Sequence, residues 1–226
     1  MNRSPLQVFQ VTGRSFKTLY EELFPLMLMS IVTWFATALV IPGPFSQAGL
    51  WYVARRALEG RTTSWQDFWD GVKGYGPRNW GNTLLVVGGY LLILVNLRFY
   101  TLSELSPVSE EVAGWLTALW IVIGILWSAF GFYLLAFQVE MVEPRFLLSL
   151  RNSLYLVLLR PLQTLILLAL LGVIAFVCLR FVMLLPLIIL YPALTALLSV
   201  NAVKSFVQPI LESRAEKEAD RDGSPE

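Results

Sequence analysis

The fold depends on the stretch Gly43–Trp80, which reads GPFSQAGLWYVARRALEGRTTSWQDFWDGVKGYGPRNW. It is the longest segment that is neither a continuous hydrophobic span nor a terminal tail. Ten uncharged residues follow Pro44, and Arg55 and Arg56 come directly after them. A helix of ten residues reaches about 15 Å, too little to cross the ~30 Å hydrocarbon core of a bilayer. Continued to Glu59, the helix reaches about 24 Å and is either a short tilted span or the returning arm of a re-entrant hairpin.

Long apolar runs dominate the sequence on both sides of this stretch. Of the 226 residues, 56% are hydrophobic and 15% are charged, whereas an ordinary soluble domain is about 45–50% apolar and about 25% charged. The run from Val112 to Val139 contains no charged residue. Runs of 18 or more apolar residues are typical of transmembrane helices. The sequence therefore predicts an all-α, polytopic helical membrane protein.

About six membrane segments follow from the hydrophobic runs, with the second short or re-entrant. They cover about 23–41, 44–59, 80–97, 112–138, 161–179 and 181–203. Amphipathic patterns predict three cytoplasmic surface helices over about 4–20, 64–72 and 145–158. Binding to a partner is the alternative role for the first of these. The segments form one transmembrane domain over 1–207, and the charged tail 208–226 is predicted to be disordered.

The distribution of Lys and Arg predicts the orientation of the chain. If the segment 44–59 returns to the side from which the chain came, that side collects 14 basic residues and the other keeps only Arg98 and Arg180. If it does not return, the two sides hold 11 and 5, with Arg160 left out of both counts. The positive-inside rule favours the returning arrangement. We therefore expect a multi-pass protein of the cell membrane with both termini in the cytoplasm.

Aromatic residues cluster in the predicted surface helix 64–72. Trp65, Phe68 and Trp69 are spaced i, i+3 and i+4, which places them on one helical face. Asp67 is expected on the opposite, solvated side. Such an aromatic face is typical of an interfacial anchor, and it also forms a candidate docking surface for another membrane protein.

Polar residues inside apolar spans are costly, so they mark candidate functional positions. Gln47 lies within the short second segment and is the candidate pore-lining residue. Six others lie near predicted span ends: Asn96, Arg98, Gln138, Glu140, Gln163 and Asn201. At the cytoplasmic rim a carboxylate, Glu140 or Glu143, is predicted to pair with an arginine. The arginines considered are Arg55, Arg56 and Arg145.

The sequence does not indicate catalysis or metal binding. It has no histidine and a single cysteine, Cys178, so the commonest general base and metal ligand is missing and no intramolecular disulfide forms. Hydrolase, metalloprotease and phosphate-loop motifs do not occur. The net charge of +1 gives no electrostatic basis for nucleic-acid binding. We expect no enzyme, cofactor or metal, and the expected partners are the lipid bilayer and another membrane protein such as a transporter.

The order of these features resembles the YesL-like bacterial membrane proteins. The resemblance rests on Gly43–Pro44 after the first span, the helix Ala48–Arg56, the aromatic helix with Asp67–Trp69 and the layout of the later spans, and it covers about 16–207. Members are often encoded beside carbohydrate-uptake or glycan-degradation systems. The resemblance therefore implies an accessory or assembly role linked to carbohydrate transport, and it brings no catalytic residues.

Two hypotheses for function follow. The first is a non-catalytic accessory protein that docks partners through its cytoplasmic aromatic-basic face. The second is a small transporter or channel in which the interrupted hairpin at Gly43–Pro44, with Gln47, lines the path, as interrupted helices do in transporters.

Overall fold

The computed structural model describes residues 6–101, 108–141, 145–180 and 185–222. These ranges form eight helices, and no strand occurs among the described residues. In chain order the helices are α1 (Leu6–Glu21), α2 (Leu23–Ala38), α3 (Gly43–Leu58), α4 (Trp65–Thr101), α5 (Glu110–Glu140), α6 (Phe146–Leu159), α7 (Pro161–Arg180) and α8 (Leu185–Asp222). The all-α class that the apolar runs predict is confirmed.

Among the described residues, four helices are long and apolar enough to cross a membrane. They are α4, α5, α7 and, within α8, the segment Ile188–Val207. The pair α1 and α2, bent by 94°, raises the number to five if it counts as one span. The predicted number of about six is not confirmed, because α2 and α3 have 16 residues each and reach only about 24 Å. The apolar helices are those of a membrane-spanning protein.

α2 and α3 form an antiparallel hairpin. At its tip α3 begins so close to α2 that a Cβ on Gly43 would lie 3.0 Å from Cα of Thr37. At its open end the hydroxyl of Thr63, just after α3, donates a 2.6 Å hydrogen bond to the carboxylate of Glu22, just before α2. α3 thus runs back to the end from which α2 started, which is the returning course favoured for 44–59 by the charge distribution.

α3 lies at the centre of the bundle, in contact with α2, α4, α5 and α8. Small residues let α4 approach it closely. A Cβ on Gly71 of α4 would lie 2.6 Å from Cβ of Tyr52 and 2.9 Å from Cα of Gly49. Close backbone contact of this kind is a main source of helix association in membranes, where lipid removes the usual hydrophobic drive.

α4 is one continuous helix of 37 residues. The predicted surface helix 64–72 and the predicted span 80–97 are therefore parts of the same helix, and the predicted break near the glycines between them is wrong. The glycines serve packing instead, since a Cβ on Gly76 would lie 2.5 Å from Cδ1 of Phe45 on α3. The helix also continues through Pro77, which lies in its interior.

α1 packs one of its faces on the bundle. Asn201 of α8 donates a 2.9 Å hydrogen bond to a main-chain carbonyl of α1, and Arg14 donates at 2.8 Å to the carbonyl of Leu58 at the end of α3. Its aromatic residues face outward, with Phe9 73% and Tyr20 81% exposed. Outward-facing aromatics are expected of a helix lying at a membrane surface, the role predicted for 4–20.

The other predicted elements occur with shifted ends. The segments 112–138, 145–158 and 161–179 correspond to α5, α6 and α7. The predicted span 181–203 falls in α8, whose described part starts at Leu185. α8 then continues to Asp222, and the disorder of 208–226 stays a prediction. That tail is charged, but Ala, Glu, Lys and Arg are also the strongest helix formers.

Candidate functional site

Four charged side chains, which we call the rim cluster, meet where α3, α5 and α8 come together. Nε of Arg55 lies 3.1 Å from Oε1 of Glu59 and 3.9 Å from Oε1 of Glu140. Nζ of Lys204 lies 3.3 Å and 3.8 Å from the same two oxygens. The predicted pairing of Glu140 with Arg55 is therefore present, whereas Glu143 lies outside the described residues.

The rim cluster ties the three helices together at one end of the bundle. Nη1 of Arg55 also donates a 2.6 Å hydrogen bond to the carbonyl of Val139, one of the last carbonyls of α5, which have no partner within the helix. Burial opposes ionisation of Glu59, but the charge of Lys204 and the hydrogen bonds from Lys204 and Arg55 outweigh it and lower the pKa of Glu59. The largely exposed Arg61 approaches the other oxygen of Glu59 at 3.5 Å.

The two remaining arginines considered for the rim lie elsewhere. Nε of Arg56 is 3.0 Å from Oδ1 of Asp67 but is not aligned for a hydrogen bond, so the attraction is ionic. Asp67 also accepts from the main-chain N and the hydroxyl of Ser64, at 2.9 Å and 2.8 Å, in a capping box at the start of α4. The prediction that Asp67 faces solvent is wrong, because it is 7% exposed. Arg145 is exposed and directly precedes α6.

The predicted aromatic face is divided by the packing of α4 on α3. Trp65 and Trp69 are 43% and 53% exposed, but Phe68 is 1% exposed. The two indoles meet the Phe68 ring edge to face, with centroids 5.6 Å and 6.0 Å away. Helical spacing alone places the three rings together, but it does not show that Phe68 lies against Gly49, where an added Cβ would be 2.8 Å from the Phe68 carbonyl. Of these three aromatic residues, only the two tryptophans are exposed enough to contact a docked partner.

A chain of buried amides links α3, α4 and α5. Nδ2 of Asn79 donates a 2.7 Å hydrogen bond to the carbonyl of Pro44. Nδ2 of Asn82 donates to Oδ1 of Asn79 at 3.2 Å and to Oε1 of Gln138 at 2.7 Å. The three amide residues are 2%, 3% and 0% exposed in chain order. Because a carbonyl only accepts, the bond to Pro44 orients Asn79, and Asn79 in turn orients Asn82.

Two atoms of this amide chain have no hydrogen-bond partner within the described part of the protein. They are Oδ1 of Asn82 and Nε2 of Gln138. Leaving a buried polar group unpaired costs about 1–3 kcal/mol. One atom is an acceptor and the other a donor.

Asn79 and Asn82 line a cavity of about 300 Å³ beside α3. Gln47, Trp51 and Thr195 line the same cavity, and they also border a second one of about 160 Å³ on the α2 side of α3. The described residues in both walls are uncharged. Gln47, the predicted pore-lining residue, therefore borders two cavities whose walls are mostly apolar with a few amide and hydroxyl groups.

Sequence reasoning missed several residues of these sites. Asn79 and Asn82 are three residues apart and so share a helical face, a signal that the predicted break in α4 obscured. No sequence pattern indicated the contact between Glu59 and Lys204, because 145 residues of chain separate them. Gln138 was recognised as an intramembrane polar residue but not as a partner of Asn82.

No protein-family model matches the chain, and no curated protein or solved structure matches it either. The resemblance to the YesL-like proteins therefore rests on the residues quoted for it alone. What the protein does is accordingly proposed from the geometry of its sites.

Proposed function

We propose that this chain is a small, non-catalytic transporter or channel of the cell membrane for uncharged hydroxylated solutes, with both termini in the cytoplasm. The observation that carries the proposal is the cavity of about 300 Å³ that is lined by the amide residues Gln47, Asn79 and Asn82. An amide group both donates and accepts, so each offers a hydrogen bond to a solute hydroxyl.

The cavity wall favours a neutral solute. Gln47, Asn79 and Asn82 supply amide groups, and Trp51 supplies an aromatic face. The Trp51 ring is held by a 2.9 Å hydrogen bond from Nε1 to the hydroxyl of Ser199 on α8. Amides match hydroxyl groups and an aromatic face matches the C–H surface of a polyol. A charged solute would lose its hydration here without an opposite charge among the described wall residues.

The short hairpin provides an interrupted helix of the kind that lines transport sites. α3 begins at Gly43–Pro44 inside the bundle, and the carbonyl of Pro44 is bound by Asn79. Discontinuous helices in transporters place backbone polar groups and side chains at a site between packed helices. The two cavities on either side of α3 give a solute contact with the same residue, Gln47.

Reconstitution into vesicles tests this function. Uptake of glycerol, mannitol and glucose is followed by light scattering after an osmotic step, with sodium chloride as the charged comparison. We expect faster uptake of at least one neutral solute than in empty vesicles, and loss of that gain in Asn82→Leu. Asn96→Leu is the matched control, because Asn96 bonds to the carbonyl of Leu92 in its own helix. Uptake equal to that of empty vesicles for every neutral solute would contradict the proposal.

A second candidate function is an accessory or assembly role linked to carbohydrate transport, in which the protein docks another membrane protein. The exposure of Trp65 and Trp69 at the basic end of the bundle favours it. The double variant Trp65→Ala with Trp69→Ala is expected to lose a co-expressed transporter in a cross-linked pull-down while remaining inserted. Phe9→Ala, which removes an exposed aromatic on α1, is the control, and equal recovery from all three proteins would count against docking.

A further inference from the structure

A separate cavity of about 400 Å³ lies beside the rim cluster, between α5, α6 and α8. Its polar wall residues are Glu140, Asn152 and Lys204, and its apolar wall includes Phe137, Val203 and Val207. We call it the rim cavity. It combines a carboxylate, an ammonium group and a hydrophobic wall, so it is suited to an amphiphilic ligand.

The rim cavity lies where membrane-crossing helices end. α5 ends at Glu140, and the apolar segment of α8 ends at Val207. Phe137 and Val203 lie one turn before these ends, toward the apolar part of each helix. A ligand in the cavity therefore has its polar group at the level of lipid headgroups and its apolar part against the hydrocarbon side.

The charges in the cavity leave two groups short of hydrogen bonds. Within the described ranges, Oε1 of Glu140 is buried without a hydrogen bond, and its cations, Lys204 and Arg55, lie 3.8 Å and 3.9 Å away, beyond hydrogen-bond distance. The ammonium of Lys204 has three N–H donors, and among the described residues one hydrogen bond is seen, to Glu59 at 3.3 Å. The carboxylate oxygen can therefore accept a hydrogen bond from a further N–H donor, and the ammonium can donate hydrogen bonds to an anion.

We propose that the rim cavity binds the headgroup of an aminophospholipid of the phosphatidylethanolamine type, with the lipid ammonium on Glu140 and the lipid phosphate on Lys204. A zwitterion adds no net charge to a cluster whose two cations and two carboxylates are already balanced. A primary ammonium donates hydrogen bonds to a carboxylate, whereas the trimethylammonium of a choline headgroup donates none. An anionic headgroup satisfies Lys204 but adds a net negative charge beside Glu140 and Glu59.

Native mass spectrometry of the purified full-length protein tests the assignment. The delipidated protein is offered equal amounts of phosphatidylethanolamine, phosphatidylcholine and phosphatidylglycerol in detergent, and bound lipid is counted. We expect phosphatidylethanolamine to be retained several-fold above the other two. Glu140→Gln is expected to reduce its retention to the phosphatidylcholine level, and Lys204→Gln is expected to reduce the retention of all three lipids, because each carries a phosphate.

Lys17→Gln is the control, because Lys17 is a 75% exposed side chain on α1, and it should retain lipid as the wild type does. Equal retention of the ethanolamine and choline lipids by the wild type would overturn the proposal, whether or not the variants fold. A preference that persists in Glu140→Gln would overturn it too. If soluble phosphoethanolamine is retained as well as phosphatidylethanolamine, the assignment to a lipid is overturned.

Discussion

Asn79 of α4 donates a 2.7 Å hydrogen bond to the main-chain carbonyl of Pro44, the second residue of α3. The bond joins the start of the central helix α3 to the middle part of α4, a helix of 37 residues. Through its other atom, Oδ1, Asn79 accepts from Asn82 and so orients the amide that lines the cavity of about 300 Å³. One tertiary contact thus sets the geometry of the candidate solute site.

Replacing Asn79 should destabilise the bundle. Asn79→Leu removes the donor to Pro44 and leaves Asn82 without one of its acceptors, so we expect the free energy of unfolding to fall by about 1–3 kcal/mol. Unfolding in mixed detergent and sodium dodecyl sulfate micelles measures the change. Asn96→Leu is the comparison, because it removes only a hydrogen bond within one helix. Equal losses in both variants would show that the contact with Pro44 contributes nothing.

The contact between α3 and α4 should respond to one methyl group. In Gly71→Ala the new Cβ would stand 2.6 Å from Cβ of Tyr52, so the helices must separate at a cost of about 1–3 kcal/mol. In Gly74→Ala the new Cβ meets no atom within 4 Å, and the higher helix propensity of alanine should stabilise α4 by up to about 1 kcal/mol. Thermal unfolding in detergent should shift in opposite directions for the two variants.

The start of α4 should depend on one of its two aspartates. Asp67→Ala removes both the capping box with Ser64 and the ionic contact with Arg56, so we expect a loss of at least ~1 kcal/mol. Asp70→Ala, one turn later on the exposed side, should change stability little. Loss of the cap should fray the first turn of α4, and limited proteolysis between α3 and α4 measures this fraying. Equal cleavage of both variants would contradict a special role for Asp67.

The contribution of Glu59 to stability should depend on pH. Its folded-state pKa is lowered from 4.5, with Lys204 as the main stabilising charge. A lowered pKa gives stability that is fully present above the unfolded value and is lost as the pH falls through the folded value. The difference in melting temperature between wild type and Glu59→Gln should therefore be largest near neutral pH and shrink below about 4.5. Glu21→Gln, in an exposed pair with Lys17, should show a much smaller difference throughout.

Cysteine labelling should place the start of α4 and the start of α5 on opposite sides of the membrane. Ser64 precedes α4 at the end that carries the rim cluster, and Ser109 precedes α5 at the other end. In a background with Cys178→Ser, we expect Ser64→Cys to react only from the cytoplasmic side and Ser109→Cys only from outside. Reaction of both from one side, or of Ser64→Cys only from outside, would refute the orientation.

Local properties of the sequence determined the class of this protein and much of its plan. Hydropathy is summed along the chain, so the apolar runs predicted α5 and α7 almost to their ends. Charge distribution is also readable along the chain, and it favoured the return of α3 before any contact was known. Composition likewise pointed away from histidine-based chemistry.

Only the tertiary structure decided which side chains are buried and which polar groups meet. The glycines of α4 look like a break in the sequence, but they are contact points for α3, and that contact buries Phe68 and Asp67. Asn82 meets Gln138, and Glu59 meets Lys204, over separations of 56 and 145 residues. Such contacts depend on which helix faces pack together. The fit of whole helix surfaces determines that packing, and no local sequence pattern encodes it.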